Sequence, residues 1–215
     1  MKAASFAATP HFTSAALDLA DAPVHGSAEN TSTIVIGSGF SALAVAAELN
    51  RQGVKAIVVE TFSPLKQHSP PATTTGGISL AALNERSEIL RLLENYARRH
   101  ELDIRPSTQA LSLTRNHGSV RANPHWTVHT ATGTLSAHNI VFTRGALNQL
   151  RRVLHGLGVT KATELRTGMH ALGLYLVGVG DLVIPSTQEI LHQAKRAGAS
   201  ISSRVAVRET GLALA

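Results

Sequence analysis

The chain has 215 residues, of which 43% are hydrophobic, and a formal net charge of +6 at pH 7. This length suits one well-filled core or two small ones. The sequence contains no cysteine, which excludes a disulfide framework, a thiolate zinc site and a redox-active dithiol. We therefore expect a cytoplasmic setting. No apolar run approaches the ~18 residues of a transmembrane helix, so we expect no membrane span and no membrane partner.

The positive charge is concentrated in the second half of the chain. Residues 1–110 carry 9 Lys/Arg against 10 Asp/Glu, whereas residues 111–215 carry 11 against 4. The basic residues are scattered, few aromatic residues lie between them, and no nucleic-acid-binding motif is present. We therefore expect a solvated, arginine-rich surface and no nucleic-acid partner.

The first 31 residues differ in composition from the rest. Residues 1–31 are rich in Ala, Ser and Thr and show no apolar periodicity. They lack the continuous apolar core of a secretory signal and the arginines of a mitochondrial presequence. We expect residues 1–31 to form a disordered tail.

Residues 34–60 have the pattern of a strand, a glycine turn, a helix and a second strand. A short apolar run enters the turn at Gly37 and Gly39. A helical pattern from about Phe40 to Arg51 follows, and a second apolar run stops at Glu60. The order of these parts predicts the βαβ unit that holds the ADP half of a dinucleotide. A βαβ unit with a glycine turn and no ligand is the alternative.

Each part of this unit has a physical task in binding a dinucleotide. Gly37 permits the tight turn, Gly39 lets the backbone approach a pyrophosphate, and the helix N-terminus offers unpaired N–H groups. Glu60, 21 residues after Gly39, is placed to accept hydrogen bonds from ribose hydroxyls. An acidic residue there repels the 2′-phosphate of NADP, which leaves FAD and NAD. Ala42 stands where a third glycine is usual and is small enough for close helix–strand packing. The predicted site residues in this unit are Gly37, Ser38, Gly39, Phe40, Ser41, Ala42 and Glu60.

After Glu60 the sequence predicts a long loop, a helix and several short strands. A polar, proline-containing loop covers residues 61–79, and an amphipathic helix runs from about Leu80 to Arg99, with Arg86 on its wet face. Strands are expected at Asp103–Arg105 and Gln109–Thr114. The predicted elements that follow are a hairpin of Trp126–Thr130 and Leu135–Phe142, a turn at Thr143-Arg144-Gly145, a helix near Leu147–Leu157, a strand at Leu174–Val179 entering Gly180-Asp181, and a helix at Thr187–Ala197.

The histidines of the hairpin do not predict a metal site. His125 and His129 lie four apart on a strand, which places them ~13 Å apart at about 3.3 Å per residue. His129 and His138 could meet across the hairpin, but no carboxylate joins them. We therefore predict no metal ligands.

Three segments of the chain resemble FAD-dependent pyridine-nucleotide oxidoreductases, and most of all the flavin-containing and Baeyer–Villiger monooxygenases. The first is the GSGFSA turn together with Glu60. The second is the helix and strand at 89–105, followed by the hairpin and NIVFTRG at 139–145. The third is the segment 173–201, with its Gly180-Asp181 pair after a strand.

This resemblance implies a fold, a cofactor and further site residues. The fold would be α/β: a Rossmann-like FAD-binding domain, with a parallel sheet and helices on both faces, plus a small β-hairpin or meander. This single domain would cover residues 32–201, and residues 202–215 would form a C-terminal tail. Gly180 and Asp181 would meet the ribityl chain, Arg144 would lie near the cofactor, and the helix after Asp181 would point its N-terminus towards the flavin pyrimidine.

The chain departs from that family between Gly145 and Leu174. Only 28 residues lie there, where the family inserts a second nucleotide-binding domain, and residues 146–173 contain no second glycine fingerprint. The predicted function is therefore an FAD-binding, monooxygenase-like oxidoreductase with electrons from NAD, NADP or a partner reductase. Two alternatives stay open: a catalytically inactive dinucleotide-binding remnant that acts through a partner, and an NAD-binding dehydrogenase-like fold. A homo-oligomer partner is also possible.

Overall fold

The computed structural model describes residues 28–60, 80–116, 125–156, 168–179 and 185–212. The first half of the described chain contains β1 (Glu29–Ile36), α1 (Gly39–Arg51), β2 (Ala56–Glu60), α2 (Leu80–Arg99) and β3 (Asp103–Asn116). The second half contains β4 (His125–Thr130), β5 (Gly133–Thr143), a 3₁₀ turn (Arg144–Ala146), α3 (Leu147–Gly156), a helical segment α4 (168–172), β6 (Leu174–Val177) and α5 (Thr187–Leu212). None of the helices in these ranges is long and apolar enough to cross a membrane.

The strands form one mixed sheet, whereas we predicted a parallel sheet with a small hairpin or meander added to it. In the parallel part the strand order is β3-β2-β1-β5-β6. In the antiparallel part β4 pairs with both β3 and β5. The difference arises because β3 is one long strand rather than two short ones: its first residues pair with β2 and its later residues pair with β4. The pairings β1–β2–β3–β4–β5–β1 therefore close on themselves like a barrel, with β6 added beside β5.

Alternate residues of the parallel strands pack into two separate cores. Ile34, Ile36 and Phe142 face a core that contains Trp126 of β4 and apolar residues of α3. Val35, Val58 and Val141, among others, face the opposite core, which α1 and α5 cover and which α2 contacts. A side-chain period of two along each strand produces this division. Helices therefore lie on both faces of the sheet, as predicted, and the predicted hairpin of β4 and β5 is confirmed.

Two elements are longer than predicted. β1 begins at Glu29 rather than near Ile34, because its first residues pair with β5 from Leu135 onward. α5 continues to Leu212, where the sequence suggested an end at Ala197. Its buried stripe extends past that point, through Ile190, Ala194, Ala197 and Ile201. A helical stripe that keeps its apolar spacing gains stability from packing, which explains the longer helix.

Candidate functional site

The ends of four parallel strands meet at one edge of the sheet. β1 leads into Gly37, β2 ends at Glu60, β5 leads into Arg144, and β6 leads into Gly178. The carboxyl edge is where open α/β sheets bind ligands, because loops and helix N-termini converge there. The predicted site residues that the structure describes all belong to this edge.

The turn after β1 has room only for glycine at Gly37. Gly37 has φ +150°, and a Cβ added to it would overlap Thr143 Oγ1. The Thr143 hydroxyl donates a hydrogen bond to the Ile36 carbonyl at 3.2 Å. The amide of Gly37 donates to the Val59 carbonyl at 2.9 Å. The turn is thus fixed between the ends of β2 and β5, and α1 is fixed with it.

The N-terminus of α1 is open. Ser38 is its extended N-cap residue, yet its side chain makes no capping hydrogen bond, and no acidic residue lies in the first turn. Gly39 has φ +72°, and a Cβ there would meet nothing within 4 Å. The first amides of a helix have no intrahelical acceptor and carry a partial positive charge. An anion could therefore approach this backbone closely.

A cleft of about 190 Å³ lies beside this helix terminus. Its walls come from five parts of the chain: the first turn of α1, the middle of α2, the turns after β5 and β6, and the start of α5. The side chains that face it include Ser38, Phe40, Ser41, Arg86, Arg144 and Ile190. Arg86 and Arg144 are the charged side chains of this wall within the described ranges, so its fixed charge is positive.

The predicted site residues take different places around the cleft. Ser38, Phe40, Ser41 and Arg144 line it, and Gly37 and Gly39 belong to the adjoining turn. Ala42 is 1% exposed and packs behind the turn, in the core beneath α1. Glu60 lies half-buried at the end of β2, opposite Gln109 of β3, and does not line the cleft itself. Gly180 and Asp181 fall outside the described residues.

Three contributors to the site were missed by sequence reasoning. Gly178, with φ +80°, packs so closely on Ser41 that a Cβ would overlap the Ser41 hydroxyl. The side chain of Gln193 in α5 accepts from the Gly178 amide at 2.8 Å and donates to the Val179 carbonyl at 3.0 Å. Arg86 turns into the cleft from α2. A glycine after a buried strand could have indicated Gly178, whereas nothing local distinguishes Gln193 or Arg86.

The N-terminus of α5 also reaches the cleft, through Pro185 and Ile190. Unlike α1, this helix is capped: the Ser186 hydroxyl accepts a hydrogen bond from the Glu189 amide at 3.2 Å. Glu189 also adds a negative charge to the first turn. The predicted approach of this terminus to a flavin ring stays a prediction.

The hairpin histidines have polar neighbours of their own. His125 Nε2 lies 3.3 Å from Asn116 Nδ2, and His129 Nδ1 lies 3.5 Å from Thr134 Oγ1. Within the ranges that the structure describes, no three His, Asp or Glu side chains come together as metal ligands would.

Comparison with known proteins shows similarity to solved structures. No family model and no curated protein matches the sequence. The solved structure of THI4 from Thermovibrio ammonificans is similar with a TM-score of 0.51 at 12% identity, over 82% of this chain and 90% of that one. Bacillithiol disulfide reductase from Staphylococcus aureus has a TM-score of 0.36 at 17% identity, over 54% of this chain and 42% of that one. An oxidized steroid monooxygenase bound to NADP has a TM-score of 0.35 at 22% identity, over 53% and 26%.

These likenesses differ in what they establish. The chain spans less than half the length of the bacillithiol disulfide reductase and of the steroid monooxygenase. The THI4 structure, in contrast, is matched over most of its length. At 12% identity, this likeness concerns the fold alone.

Proposed function

We propose that this chain binds FAD at the carboxyl edge of its parallel strands and functions as an oxidoreductase. The observation that carries the proposal is the open N-terminus of α1 above the turn at Gly37 and Gly39. A diphosphate suits this place because its charges meet the unpaired amides and the positive end of the helix. Arg86 and Arg144 add to the attraction from the cleft walls.

We propose a definite order of contacts between these residues and the parts of FAD. The amides of Ser38 to Ser41 would bind the pyrophosphate, and Gly39 would leave room for it. Glu60, at the end of the neighbouring strand, would accept hydrogen bonds from the adenosine ribose. Asp181 is proposed as the ribityl ligand on the resemblance alone. The bound flavin would supply the redox chemistry, and the protein would bind it, orient it and exclude water.

The finer proposal is a monooxygenase-like activity that obtains its electrons from outside the chain. The resemblance of residues 34–60, 89–145 and 173–201 supports the monooxygenase-like part. The short connection from Gly145 to Leu174 supports the external source, because its 28 residues are too few for a second nucleotide-binding domain. A free nicotinamide nucleotide or a partner reductase would then reduce the flavin.

The same short connection favours a second candidate function. A chain that keeps its FAD site without a site for the electron donor could bind a dinucleotide without turnover and act through a partner. Addition of NADH or NADPH without air distinguishes the two. Bleaching of the flavin absorbance supports the oxidoreductase. A bound flavin that stays oxidised with both donors, and with an added reductase, supports the binding protein.

The visible spectrum of the purified protein tests FAD binding itself. We expect a yellow protein, or a colourless one that becomes yellow when FAD is added and the excess is removed. A colourless protein that FAD cannot reconstitute contradicts the proposal. Glu60→Arg should abolish flavin retention, whereas Glu94→Arg, an exposed charge reversal on α2, should retain it. Equal flavin content in both variants would remove Glu60 from the site.

A further inference from the structure

We infer that Arg86, held against the ring of Phe40, is a phosphate-binding residue of the cleft and makes the site select flavins that carry phosphate. This inference rests on the proposed function, because it concerns how FAD is held. Arg86 lies on α2, outside the βαβ unit that provides the other proposed phosphate contacts. The sequence pattern predicted only that this side chain faces solvent.

The position of Arg86 is defined by its contact with α1. The guanidinium carbon of Arg86 lies 5.2 Å from the centroid of the Phe40 ring, within the range of a cation–π interaction. Phe40 is 6% exposed and is the second residue of α1. Its ring is therefore fixed in the core, and the guanidinium that it contacts lines the same cleft as the first turn of that helix.

The charge around Arg86 points to an anion as the missing partner. Within the described residues, the ion pairs involve Arg51 and Arg105, and none involves Arg86. The walls of the same cleft include Arg144 and the N-terminal turn of α1, which carries a partial positive charge. The described side chains that line the cleft include two arginines and no carboxylate, whereas Glu85 and Glu189 are exposed on α2 and α5. This arrangement favours phosphate at the cleft wall.

Arginine suits this task because its planar guanidinium donates several hydrogen bonds in a fixed direction. It can stack on an aromatic ring with one face while its N–H groups point to an oxyanion. A contact of this kind discriminates between flavins. FAD presents a diphosphate, whereas riboflavin presents none, so only FAD should depend on the Arg86 charge.

Calorimetric titration of the whole protein with FAD and with riboflavin tests the inference. For Arg86→Gln we expect FAD affinity to fall about tenfold, the loss expected when one charge-assisted hydrogen bond is removed. Riboflavin affinity should stay within twofold. The FAD affinity of Arg86→Lys should lie between those of wild type and Arg86→Gln, because lysine keeps the positive charge but lacks the planar guanidinium. Arg91→Gln, which removes an exposed charge from the same helix, should leave both affinities unchanged.

Two results would overturn the inference while the proposed function survives. If wild type binds FAD and Arg86→Gln binds it equally well, Arg86 is not a ligand. If FAD and riboflavin weaken together, Arg86 only supports the shape of the cleft. ADP is the third probe. If the wild-type protein binds ADP but not FAD, and Arg86→Gln weakens ADP binding, then Arg86 binds phosphate and the proposal that the ligand is FAD is wrong. Wild type that binds neither contradicts both proposals.

A double-mutant cycle tests the role of the ring. Phe40→Leu keeps an apolar side chain in the core and removes the surface on which Arg86 stacks. We expect about threefold weaker FAD binding in Phe40→Leu, and the double variant should bind FAD as weakly as Arg86→Gln alone and no more weakly. Additive losses would show that Phe40 does not position Arg86. Thermal unfolding of each variant verifies that it is folded before titration.

Discussion

Two helix N-termini face the same cleft, and they are built in opposite ways. The N-cap residue of α1 is an extended Ser38 whose side chain makes no capping hydrogen bond, and no acidic residue lies in the first turn of the helix. The residue before α5 is Ser186, whose hydroxyl accepts a hydrogen bond from the Glu189 amide at 3.2 Å, and the Glu189 carboxylate lies in the first turn of that helix. The first amides of α1 therefore have no capping side chain, whereas an amide in the first turn of α5 bonds a side chain of the protein itself.

This difference supports the proposal that an anion binds at the α1 end of the cleft. Capping typically adds about 1 kcal/mol of stability, so an uncapped helix in a well-packed core sacrifices stability. Positions that break a local rule are often functional. The open terminus of α1 is also rigidly supported, because Gly37 fits against Thr143 and Gly178 fits against Ser41.

The largest effect is expected at the two glycines of the α1 turn, which should fail in different ways. Gly37→Ala forces a Cβ into Thr143 and an unfavourable φ of +150°, so we expect roughly 3 kcal/mol or more of lost stability. Gly39→Ala meets open space and should cost only about 1–2 kcal/mol for its positive φ. Its methyl group would point to the ligand, so FAD binding should fall sharply in a folded protein.

Chemical denaturation together with FAD titration checks this pair. The expected pattern is an unstable Gly37→Ala variant and a folded, weakly binding Gly39→Ala variant. If Gly39→Ala binds FAD as wild type does, the diphosphate does not lie at this turn.

The next largest effect is expected at Gln193, whose side chain forms a hydrogen-bonded bridge from α5 to the turn after β6. Gln193→Leu removes both hydrogen bonds of its side chain and leaves the Gly178 amide and the Val179 carbonyl without that partner. We expect a loss of about 2 kcal/mol in the free energy of unfolding. Gln188→Leu is the control, because its side chain bonds Glu85 at the exposed surface of α5, and it should cost much less. Equal losses would show that the bridge does not stabilise the turn.

The two N-cap serines should differ by a smaller amount. Ser186→Ala removes a capping hydrogen bond and should cost about 1 kcal/mol of stability without changing FAD affinity. Ser38→Ala removes no capping bond, so the free energy of unfolding should change little. Urea denaturation of both variants measures the difference. A larger loss in Ser38→Ala would reverse the comparison of the two termini.

The smallest effect concerns an ion pair at the opposite edge of the sheet. Arg105 binds Glu29 at 2.7 Å, and this hydrogen bond lowers the pKa of the Glu29 carboxyl below its ordinary value. A lowered pKa contributes stability above the ordinary carboxyl range, and this is lost as the pH falls through the folded-state pKa. Because the Glu29 side chain is 50% exposed, we expect less than about 1 kcal/mol.

Thermal unfolding of wild type and Glu29→Gln at a series of pH values measures that contribution. The variant should be less stable at neutral pH, and the difference should disappear in acid, where both side chains are uncharged. A difference that persists in acid would show that the loss does not come from the charge.

How much of this molecule could be predicted from the sequence depends on the range of the interactions. The βαβ unit could be predicted because its signals are local: two apolar runs, a glycine turn and a helical stripe. α2 could be predicted from its periodicity, from Leu80 to Arg99. The single strand β3 could not, because it changes partner from β2 to β4 along its length and the partners are distant in sequence.

The site shows the same limit. The residues of the α1 turn belong to one short segment, so their proximity follows from the pattern. Thr143 contacts the same turn from 107 residues away, and Gln193 reaches Gly178 from another element. Arg86 has the spacing of an exposed helix position, and only the packing of α2 on α1 turns it towards the cleft. The residue pattern predicted the glycine turn before α1, whereas tertiary packing determines which side chains surround it.

Backbone amide NMR of the labelled protein during titration with FAD tests the central claim most directly, since it observes both helix termini at once. We predict that the largest shifts occur at the amides of Gly39, Phe40 and Ser41, and that Glu189 and Ile190 shift less. Shifts that centre on the start of α5, or that leave the α1 turn unchanged when FAD binds, would contradict the assignment of the open terminus as the diphosphate site.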